Sequence, residues 1–421
     1  MVAEDHTSRE RLSLVVLIGV LALGTFLRLP PNVFLDGGSL HSFAGLHMAP
    51  AFTQVGFDEN LYRQYLKTLI ERGITAYPDM VQDYIVTQSK LPGAILPPVR
   101  FLYIFSAYLW HRLFGSGPLA ALKDISALVT MLTLFASTVF AWRLRGRNWG
   151  LAIAALMAAA PTQLHMSQHA LIDGFFGFWA LLCLWLLWEN LQSPRSWPLL
   201  MGFGVSLTAL VLTKENSFFV GVALLVLLLT NRWLRFGIVT RELLLVSVAG
   251  PLLGVVILVF LAAGLDNLVT TYELLVAKAS LTPYAILTGD GPWYRYLVDL
   301  LLVSPLILIL ALGSVFRLDL TKKSELYLFT FVTASYLAMC NVKFGMNLRY
   351  TNMWDMPLRF LAMSSLILVV APLQRYRNLV LGIAVALIAT LELRQYYFLA
   401  VQYPLYELVT HDLLRALRIL K

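Results

Sequence analysis

The sequence predicts an all-α protein that crosses a membrane about eleven times, and three observations support this. Hydrophobic residues make up 59% of the 421 residues and charged residues only 13%, with a mean hydropathy of +0.73. Continuously apolar runs of about 17 to 25 residues recur along the chain, each long enough to cross about 30 Å of hydrocarbon. Strands of a membrane barrel would alternate apolar and polar residues, so the runs are predicted to be helices.

The spans are expected at the apolar runs, near 12–30, 120–142, 149–162, 174–190, 198–213, 217–231, 243–264, 297–316, 325–341, 357–373 and 378–397. Lys and Arg accumulate in cytoplasmic linkers. Here they cluster at every second linker, around Arg9 and Arg11, Arg143 to Arg147, Arg195, Arg232 to Arg241, Arg317 to Lys323, and Arg375 and Arg377. This alternation predicts a cytoplasmic N-terminus and an outer C-terminus.

The same alternation indicates whether the segment Pro97–Gly115, which is apolar enough to be a span, crosses the membrane. Counting it as a span would place the Arg143 to Arg147 cluster outside, so an interfacial helix is expected there instead. The first outer loop then covers about 31–119. We expect a transmembrane domain over 1–400, a short amphipathic segment over 401–421 and no separate soluble domain.

The basic balance of the chain does not indicate a nucleic-acid partner. Its net charge is +8, but the cations lie between apolar runs, where they act as orientation signals. The two cysteines, Cys183 and Cys340, both lie inside apolar runs, so no structural disulfide is expected.

Acidic residues at the outer side are the first candidates for a functional site. Asp58 and Glu59 begin a helix-like stretch, where they could serve as a general base or metal ligands, or simply as helix N-terminal acids. Asp173 stands at the mouth of an apolar helix, in a catalytic or a capping role. His165 and His169 precede Asp173 by eight and four residues and could share its helical face as metal ligands or face solvent.

Basic residues at the outer side form the second set of candidates. Lys214 and Glu215 join two apolar runs, either as interfacial anchors or as the lining of a polar cavity. Lys343, Arg349 and Tyr350 lie at the outer end of a span, against the inside bias of cations. An anionic ligand such as a phosphate would explain them, and two cations of the first loop could serve similarly, Lys90 and Arg100. Any one of these residues could instead be an interfacial anchor.

Five motifs in this order resemble the GT-C glycosyltransferases of the protein O-mannosyltransferase and lipid A aminoarabinose transferase type. They are FDENLYRQYL, PPVRFLYIFSAYLWHRLFG, RLRGRNWGLAIAALMAAAPTQLHMSQHALID, LTKENSFFVGVALLVLL and KFGMNLRYTNMWDMPLRFLA. The resemblance extends from the first span to about Pro372. Two departures are expected: Leu96 replaces the basic residue that precedes the Pro pair in many relatives, and the large soluble C-terminal domain of some relatives is not predicted in this sequence.

The resemblance implies transfer of a sugar from a polyprenyl-phosphate carrier to an acceptor on the outer side, without a covalent enzyme intermediate. Asp58 would be the catalytic acid-base residue, with Glu59 beside it and Asp173 as a second site acid. The carrier phosphate would be bound by Arg349, Lys343 and Tyr350, with either Lys90 or Arg100. A divalent metal is compatible with the family and would bind Asp58, Asp173 and His169.

The expected partners are the polyprenyl-phosphate sugar, membrane lipids, an acceptor protein, glycan or lipid, and further membrane subunits. The expected location is a bacterial inner membrane, with the active face outside. Two other functions compete with this interpretation. A lipid or anion transporter should carry charges near the centre of its middle spans, and none is seen there. A non-catalytic subunit of a membrane complex could retain the same acids.

Overall fold

The structure is a computed structural model that describes residues 2–34, 38–48, 55–282, 285, 286, 289, 291–343 and 346–403. This part of the chain is helical and contains no strand. The helices are α1 (Val2–Arg28), α2 (Phe57–Arg72), α3 (Tyr77–Lys90), α4 (Phe101–Phe114), α5 (Pro118–Arg145), α6 (Arg147–Ala158), α7 (Pro161–Gln168), α8 (Ile172–Gln192), α9 (Trp197–Thr213), α10 (Ser217–Leu234), α11 (Arg241–Leu261), α12 (Leu265–Ala279), α13 (Arg295–Val303), α14 (Pro305–Val315), α15 (Lys323–Met339), α16 (Asp355–Val370) and α17 (Arg377–Tyr396).

Within the described residues, six helical stretches are long and apolar enough to cross a membrane: Arg11–Arg28, Pro118–Arg145, Ile172–Gln192, Ser217–Leu234, Arg241–Leu261 and Leu348–Gln402. Helices α9 and α14 are apolar but shorter. Two predicted spans are shorter than expected for physical reasons. The run at 297–316 is interrupted at Ser304, where Pro305 starts a new helix, and α6 has 12 residues, about 18 Å of rise.

The segment Pro97–Gly115 forms α4, which has 14 residues and rises about 21 Å, less than the hydrocarbon thickness. It packs on α5 beside α2, so the described part of the segment 31–119, predicted to be the first outer loop, contains three short α-helices rather than a span. The segment expected to be amphipathic at the C-terminus, 404–421, lies outside the described residues.

Ion pairs group the helix ends into two sets, which agrees with the predicted alternation of linkers. Arg143 donates to Glu189 at 2.8 Å through two nitrogens, and Arg145 donates to Glu325 at 2.6 and 2.7 Å. Both pairs join ends that the sequence assigns to the inner side. The first-loop helices and the ends of α7 and α9 meet at the other set, which contains the candidate site.

Small residues let α9 and α11 pack closely in the absence of a hydrophobic driving force between helices in lipid. Gly250 and Gly254 are spaced four apart on α11 and face α9. A Cβ built on Gly250 would lie 2.9 Å from the Gly204 carbonyl oxygen and 3.0 Å from the Leu207 Cβ. The Thr208 hydroxyl donates to the Gly250 carbonyl at 2.8 Å, which fixes the two helices at this distance.

We expect Gly250→Ala to destabilise the protein, although alanine normally favours a helix over glycine by about 1 kcal/mol. The added methyl overpacks the α9–α11 contact, which costs about 1–3 kcal/mol. Thermal unfolding in detergent measures the difference. The matched control is Gly221→Ala on α10, where no atom lies within 4 Å of the new Cβ; an equal loss there would contradict the packing argument.

Candidate active site

A short 3-10 helix carries the cation at the centre of the site. We call this segment, Leu348–Trp354, the arginine turn. The Asn347 side-chain oxygen accepts from the Arg349 N–H at 3.0 Å and caps its start. Near its end, the Trp354 indole N–H donates to the Ser335 hydroxyl at 2.7 Å. The turn is therefore fixed at both ends, and it presents Arg349 to the first turn of α8.

Arg349 lies between two carboxylates from distant parts of the chain. Its Nη1 and Nη2 both donate to Asp58 Oδ2 at 3.1 Å, and its Nε lies 3.8 Å from Asp173 Oδ2. Asp58 stands in the first turn of α2 and Asp173 in the first turn of α8. Arg349 and Asp173 are buried, whereas the Asp58 side chain retains 27% exposure. The one partly open carboxylate is thus held directly against a buried cation.

Lys214 is the second cation of the cluster. Its Nζ donates to Asp173 Oδ1 at 2.6 Å and lies 3.9 Å from the centroid of the Tyr350 ring. Tyr350 follows Arg349 on the arginine turn, so the aromatic face and the carboxylate hold the ammonium from two sides. The charges of Asp58, Asp173, Lys214 and Arg349 sum to zero, which offsets the cost of burying them.

Arg100 belongs to an adjoining cluster and is already engaged. Its guanidinium donates to both carboxylate oxygens of Glu215, through Nε at 3.1 Å and through Nη2, and to the Tyr62 hydroxyl at 2.7 Å. Burial alone would raise the pKa of the Glu215 carboxyl, but the Arg100 guanidinium holds that pKa below its ordinary value. The pair ties the start of α4 to the joint between α9 and α10, beside Lys214.

Glu59 is buried, and its hydrogen-bond partners are other residues than those that contact Arg349. Its Oε2 accepts from the Gly56 N–H at 2.8 Å, and its Oε1 accepts from the Ala170 N–H at 2.7 Å. The Nδ1 of His169 lies 3.6 Å from the same Oε1. Burial works to raise the pKa of the Glu59 carboxyl, but His169 and the two backbone N–H groups lower it to about 2. Glu59 thus joins α2 to the segment that leads into α8.

Two predicted phosphate ligands lie apart from the cluster. Lys90 is exposed at the last residue of α3, and Lys343 is exposed beyond the end of α15. In the part of the chain that the structure describes, neither makes an ion pair. The residues that do converge are Asp58, Asp173, Lys214, Arg349 and Tyr350.

The predicted metal ligands do not form a metal site. Among the described residues, no group of three His, Cys, Asp or Glu side chains is arranged to hold a metal ion. Asp58 and Asp173 face Arg349, and His169 faces Glu59. Two carboxylates that already share a guanidinium are neutralised by it, so this arrangement suits an anion bound to the cations better than a dication.

Sequence reasoning missed a set of buried polar residues behind the arginine turn, each 4% exposed or less: Gln163, Asn352, Asp355, Arg359 and Glu392. The sequence did carry a signal that could have identified two of these residues. Arg359 and Glu392 are ionisable residues inside predicted spans, and such residues are costly unless they serve a purpose. The amides gave no such signal.

The low pKa of Glu59 predicts a pH-dependent contribution to stability. Because the fold holds this pKa at about 2, below the ordinary value of 4.5, the charged form stabilises the fold fully above pH 4.5. That stabilisation is lost as the pH falls from 4.5 toward 2. We therefore expect Glu59→Gln to unfold at a lower temperature than the parent at neutral pH, and the gap to shrink below pH 4.5.

Thermal unfolding between about pH 7 and pH 3 measures this gap. The matched control is Glu71→Gln on the same helix, whose side chain is 58% exposed and pairs only with Lys67. The unfolding temperature of Glu71→Gln should equal that of the parent at every pH. A gap for Glu59→Gln that stays constant down to pH 3 would contradict a role for its charge.

Comparisons with known proteins agree with this architecture. Sequence features of the dolichyl-phosphate-mannose-protein mannosyltransferase family match residues 57–272, just over half of the chain. No curated protein sequence matches it. Among solved structures, ArnT from Cupriavidus metallidurans bound to undecaprenyl phosphate superposes with a TM-score of 0.55 at 15% identity, covering 94% of this chain and 77% of that one.

A second solved structure is the Archaeoglobus fulgidus oligosaccharyltransferase AglB, in complex with an inhibitory peptide and a dolichol-phosphate. It superposes with a TM-score of 0.58 at 15% identity over 96% of this chain, which spans 56% of the length of AglB. At such identity these likenesses show the fold. Together with the family match, they confirm the resemblance seen in the motifs: the chain belongs to the dolichyl-phosphate-mannose-protein mannosyltransferase family, and is a membrane glycosyltransferase of the GT-C type.

Proposed function

We propose that the chain transfers a sugar from a polyprenyl-phosphate carrier to a hydroxyl or amide acceptor, with Asp58 as the base and Arg349 as the main ligand of the carrier phosphate. One observation supports this above all others. A single guanidinium contacts a partly exposed carboxylate on one side and a buried carboxylate on the other. A base and a phosphate-binding cation therefore line one site, where an in-line displacement can place the acceptor at Asp58 and the leaving phosphate at Arg349, on opposite sides of the anomeric carbon.

In this reaction Asp58 takes the acceptor proton as the acceptor atom bonds to the anomeric carbon. The bond from that carbon to the phosphate oxygen breaks, and the carrier phosphate leaves with the electron pair. The configuration inverts, and no bond to the enzyme forms. Asp58 suits this role because it is the only carboxylate among Asp58, Asp173 and Glu59 that keeps substantial side-chain exposure.

Charge is conserved locally during this step. The donor phosphodiester carries one negative charge, and the leaving monoester carries about two. As Asp58 accepts a proton, the cluster becomes more positive by one unit. Arg349 and Lys214 then face the phosphate oxygens that gain charge, and they are held in place by Asp173 and Tyr350 before the reaction begins. Preorganised cations of this kind stabilise a transition state in which charge develops.

The carrier's lipid chain has a suitable surface nearby. An apolar groove of about 460 Å³ follows α9 between α4, α8 and α11, from Leu200 to Leu212. Leu212 lies two residues before Lys214. A prenyl chain in this groove would place its phosphate at the cluster, and its burial would be favourable because the lining is apolar.

The other predicted ligands take supporting roles in this proposal. Arg100 fixes the Glu215 carboxylate beside Lys214, and Glu59 fixes the position of α2. Lys90 and Lys343 are exposed, and they would contact the donor or acceptor only at the entrance to the site. A divalent metal remains compatible with the family, since one AglB structure is a complex with Zn and sulfate, but the cluster offers cations where that metal would act.

The ligands of the similar structures support the substrate classes. ArnT was solved with undecaprenyl phosphate, and AglB with dolichol-phosphate and, in another structure, with a tethered acceptor peptide. We place the reaction at the outer face of a bacterial inner membrane, in line with the positions of the Lys and Arg clusters. The acceptor is a protein, glycan or lipid, recognised by the first outer loop and the predicted outer loop over 266–296, or by a partner subunit.

We expect Asp58→Asn to lower sugar transfer from a polyprenyl-phosphate donor by about 10²- to 10⁴-fold, since the amide cannot accept the acceptor proton. Transfer to an acceptor, or hydrolysis of the donor, measures this in the purified protein with a panel of polyprenyl-phosphate sugars. The matched control is Asp79→Asn, another acid of the first loop, which is exposed and pairs with Arg72.

Asp79→Asn should retain the parental rate. Equal rates for Asp58→Asn and the parent with an active donor would contradict the assignment of the base. Binding of the donors without turnover of any of them by the parent would contradict the proposed transfer itself and favour a non-catalytic subunit.

A further inference from the structure

A chain of buried polar contacts leads from the arginine turn into the interior of the bundle. Gln163, on α7, donates through its Nε2 to the side-chain oxygen of Asn352 and to Asp355 Oδ2 at 2.7 Å. Asn352 belongs to the arginine turn, and Asp355 is the first residue of α16. One amide group therefore holds the C-terminal end of the turn, which α15 also contacts through Ser335.

The contacts continue through charged groups. Arg359 donates through Nη1 to Asp355 Oδ1 at 2.7 Å and through Nη2 to Glu392 Oε2 at 2.6 Å. The Ser304 hydroxyl donates to the same Glu392 oxygen at 2.9 Å, and the Arg359 Nε donates to the Leu156 carbonyl at 3.1 Å. These contacts connect α6, α16, α17 and the start of α14. They lie at the opposite end of the polar network from Gln163.

In the described part of the chain, the contacts given above for these groups do not include Asp58, Asp173 or Lys214, so they have no direct part in the proposed reaction. Ionisable groups inside a membrane bundle are costly and must be compensated by partners. Here Arg359 compensates both carboxylates, Glu392 and Asp355, and Asp355 is the first residue after the arginine turn. Only two residues separate Arg349 from Asn352, so a displacement of Asn352 shifts the backbone that carries Arg349.

A glycine on α8, Gly177, lies close to Asn352 of the arginine turn. Gly177 lies one helical turn after Asp173 on α8, and a Cβ built on it would lie 3.3 Å from the Asn352 side-chain carbon. Asn352 is therefore held between Gln163 and α8. Asp173 lies one helical turn before Gly177 on α8, so Asn352 and Arg349 of the arginine turn lie against neighbouring turns of the same helix.

We propose that Gln163 is a positioning residue: it holds Asn352 and Asp355 so that Arg349 lies at the correct distance from Asp58, Asp173 and the donor phosphate. This proposal rests on the proposed function only in that Arg349 binds the phosphate. The predicted consequence is selective. Loss of the Gln163 amide weakens phosphate binding through Arg349 and leaves binding that does not involve Arg349 unchanged.

The experiment measures the Kd of undecaprenyl phosphate for the full-length protein in lipid nanodiscs by isothermal titration. We expect Gln163→Leu to weaken binding about tenfold. The matched control is Asn190→Leu, which removes a buried amide that donates to two carbonyls at the other end of α8. Its Kd should stay within about twofold of the parent, because it has no connection to the arginine turn.

A double-mutant cycle separates positioning from a general loss of structure. In an Arg349→Lys background, Gln163→Leu should weaken binding by less than about twofold, because the geometry it maintains no longer matters. Full additivity, or an unchanged Kd for Gln163→Leu alone, would overturn the proposal. An unchanged Kd for Arg349→Lys alone would instead overturn the proposed role of Arg349 in donor binding.

A second variant covers the case in which Gln163→Leu does not fold. Gly177→Ala keeps every polar group and presses a methyl against Asn352, so it should weaken binding about threefold in the parent and not in the Arg349→Lys background. A Kd equal to that of the parent in folded Gly177→Ala would contradict the link between the position of Asn352 and phosphate binding.

Discussion

The guanidinium of Arg349, shared between Asp58 and Asp173, is the interaction on which the rest of the site depends. The three side chains come from α2, α8 and the arginine turn, and Asp58 and Arg349 are 291 residues apart in the sequence. Buried charges of this kind are stable only when they have close partners. Their pairing therefore requires the first outer loop to fold back on the bundle, and Glu59 and Arg100 hold it there.

Sequence reasoning predicted the helical architecture well, because lipid forces continuous apolar runs to be helices. It also predicted α4 as a short helix outside the spans, since the positions of the Arg clusters are a one-dimensional signal. The number of crossings was less predictable, because Pro305 breaks one apolar run and α6 is short. Neither feature changes the hydropathy of its run.

For the site, the residue types were predictable and their contacts were not. Asp173, Lys214 and Arg349 stood out as charges at span ends, and Asp58 as an acid at the start of a loop helix; all four converge. Lys90 and Lys343 are also cations, and they lie near Arg100 and Arg349 in the sequence, but their side chains are exposed. Partner choice depends on how α2 and α3 fold over the bundle, which no local pattern encodes. Gln163 illustrates the same limit, since an amide in an apolar helix has no distinctive sequence signature.

In the proposed reaction, the shared guanidinium would also link the two substrates. Asp58 contacts two Arg349 nitrogens, and the donor phosphate would need the same nitrogens. The phosphate would then compete for them, and its binding would release the carboxylate that the acceptor requires. Two ligands of one cation are coupled in this way by thermodynamic necessity. The enzyme would thus keep its base neutralised until the donor arrives.

The Kd of undecaprenyl phosphate for Asp58→Asn, compared with the parent, tests this account most directly. Removal of the competing charge should tighten binding about tenfold, even though the variant cannot catalyse transfer. Weaker or unchanged binding would contradict the sharing of Arg349 between the base and the donor phosphate.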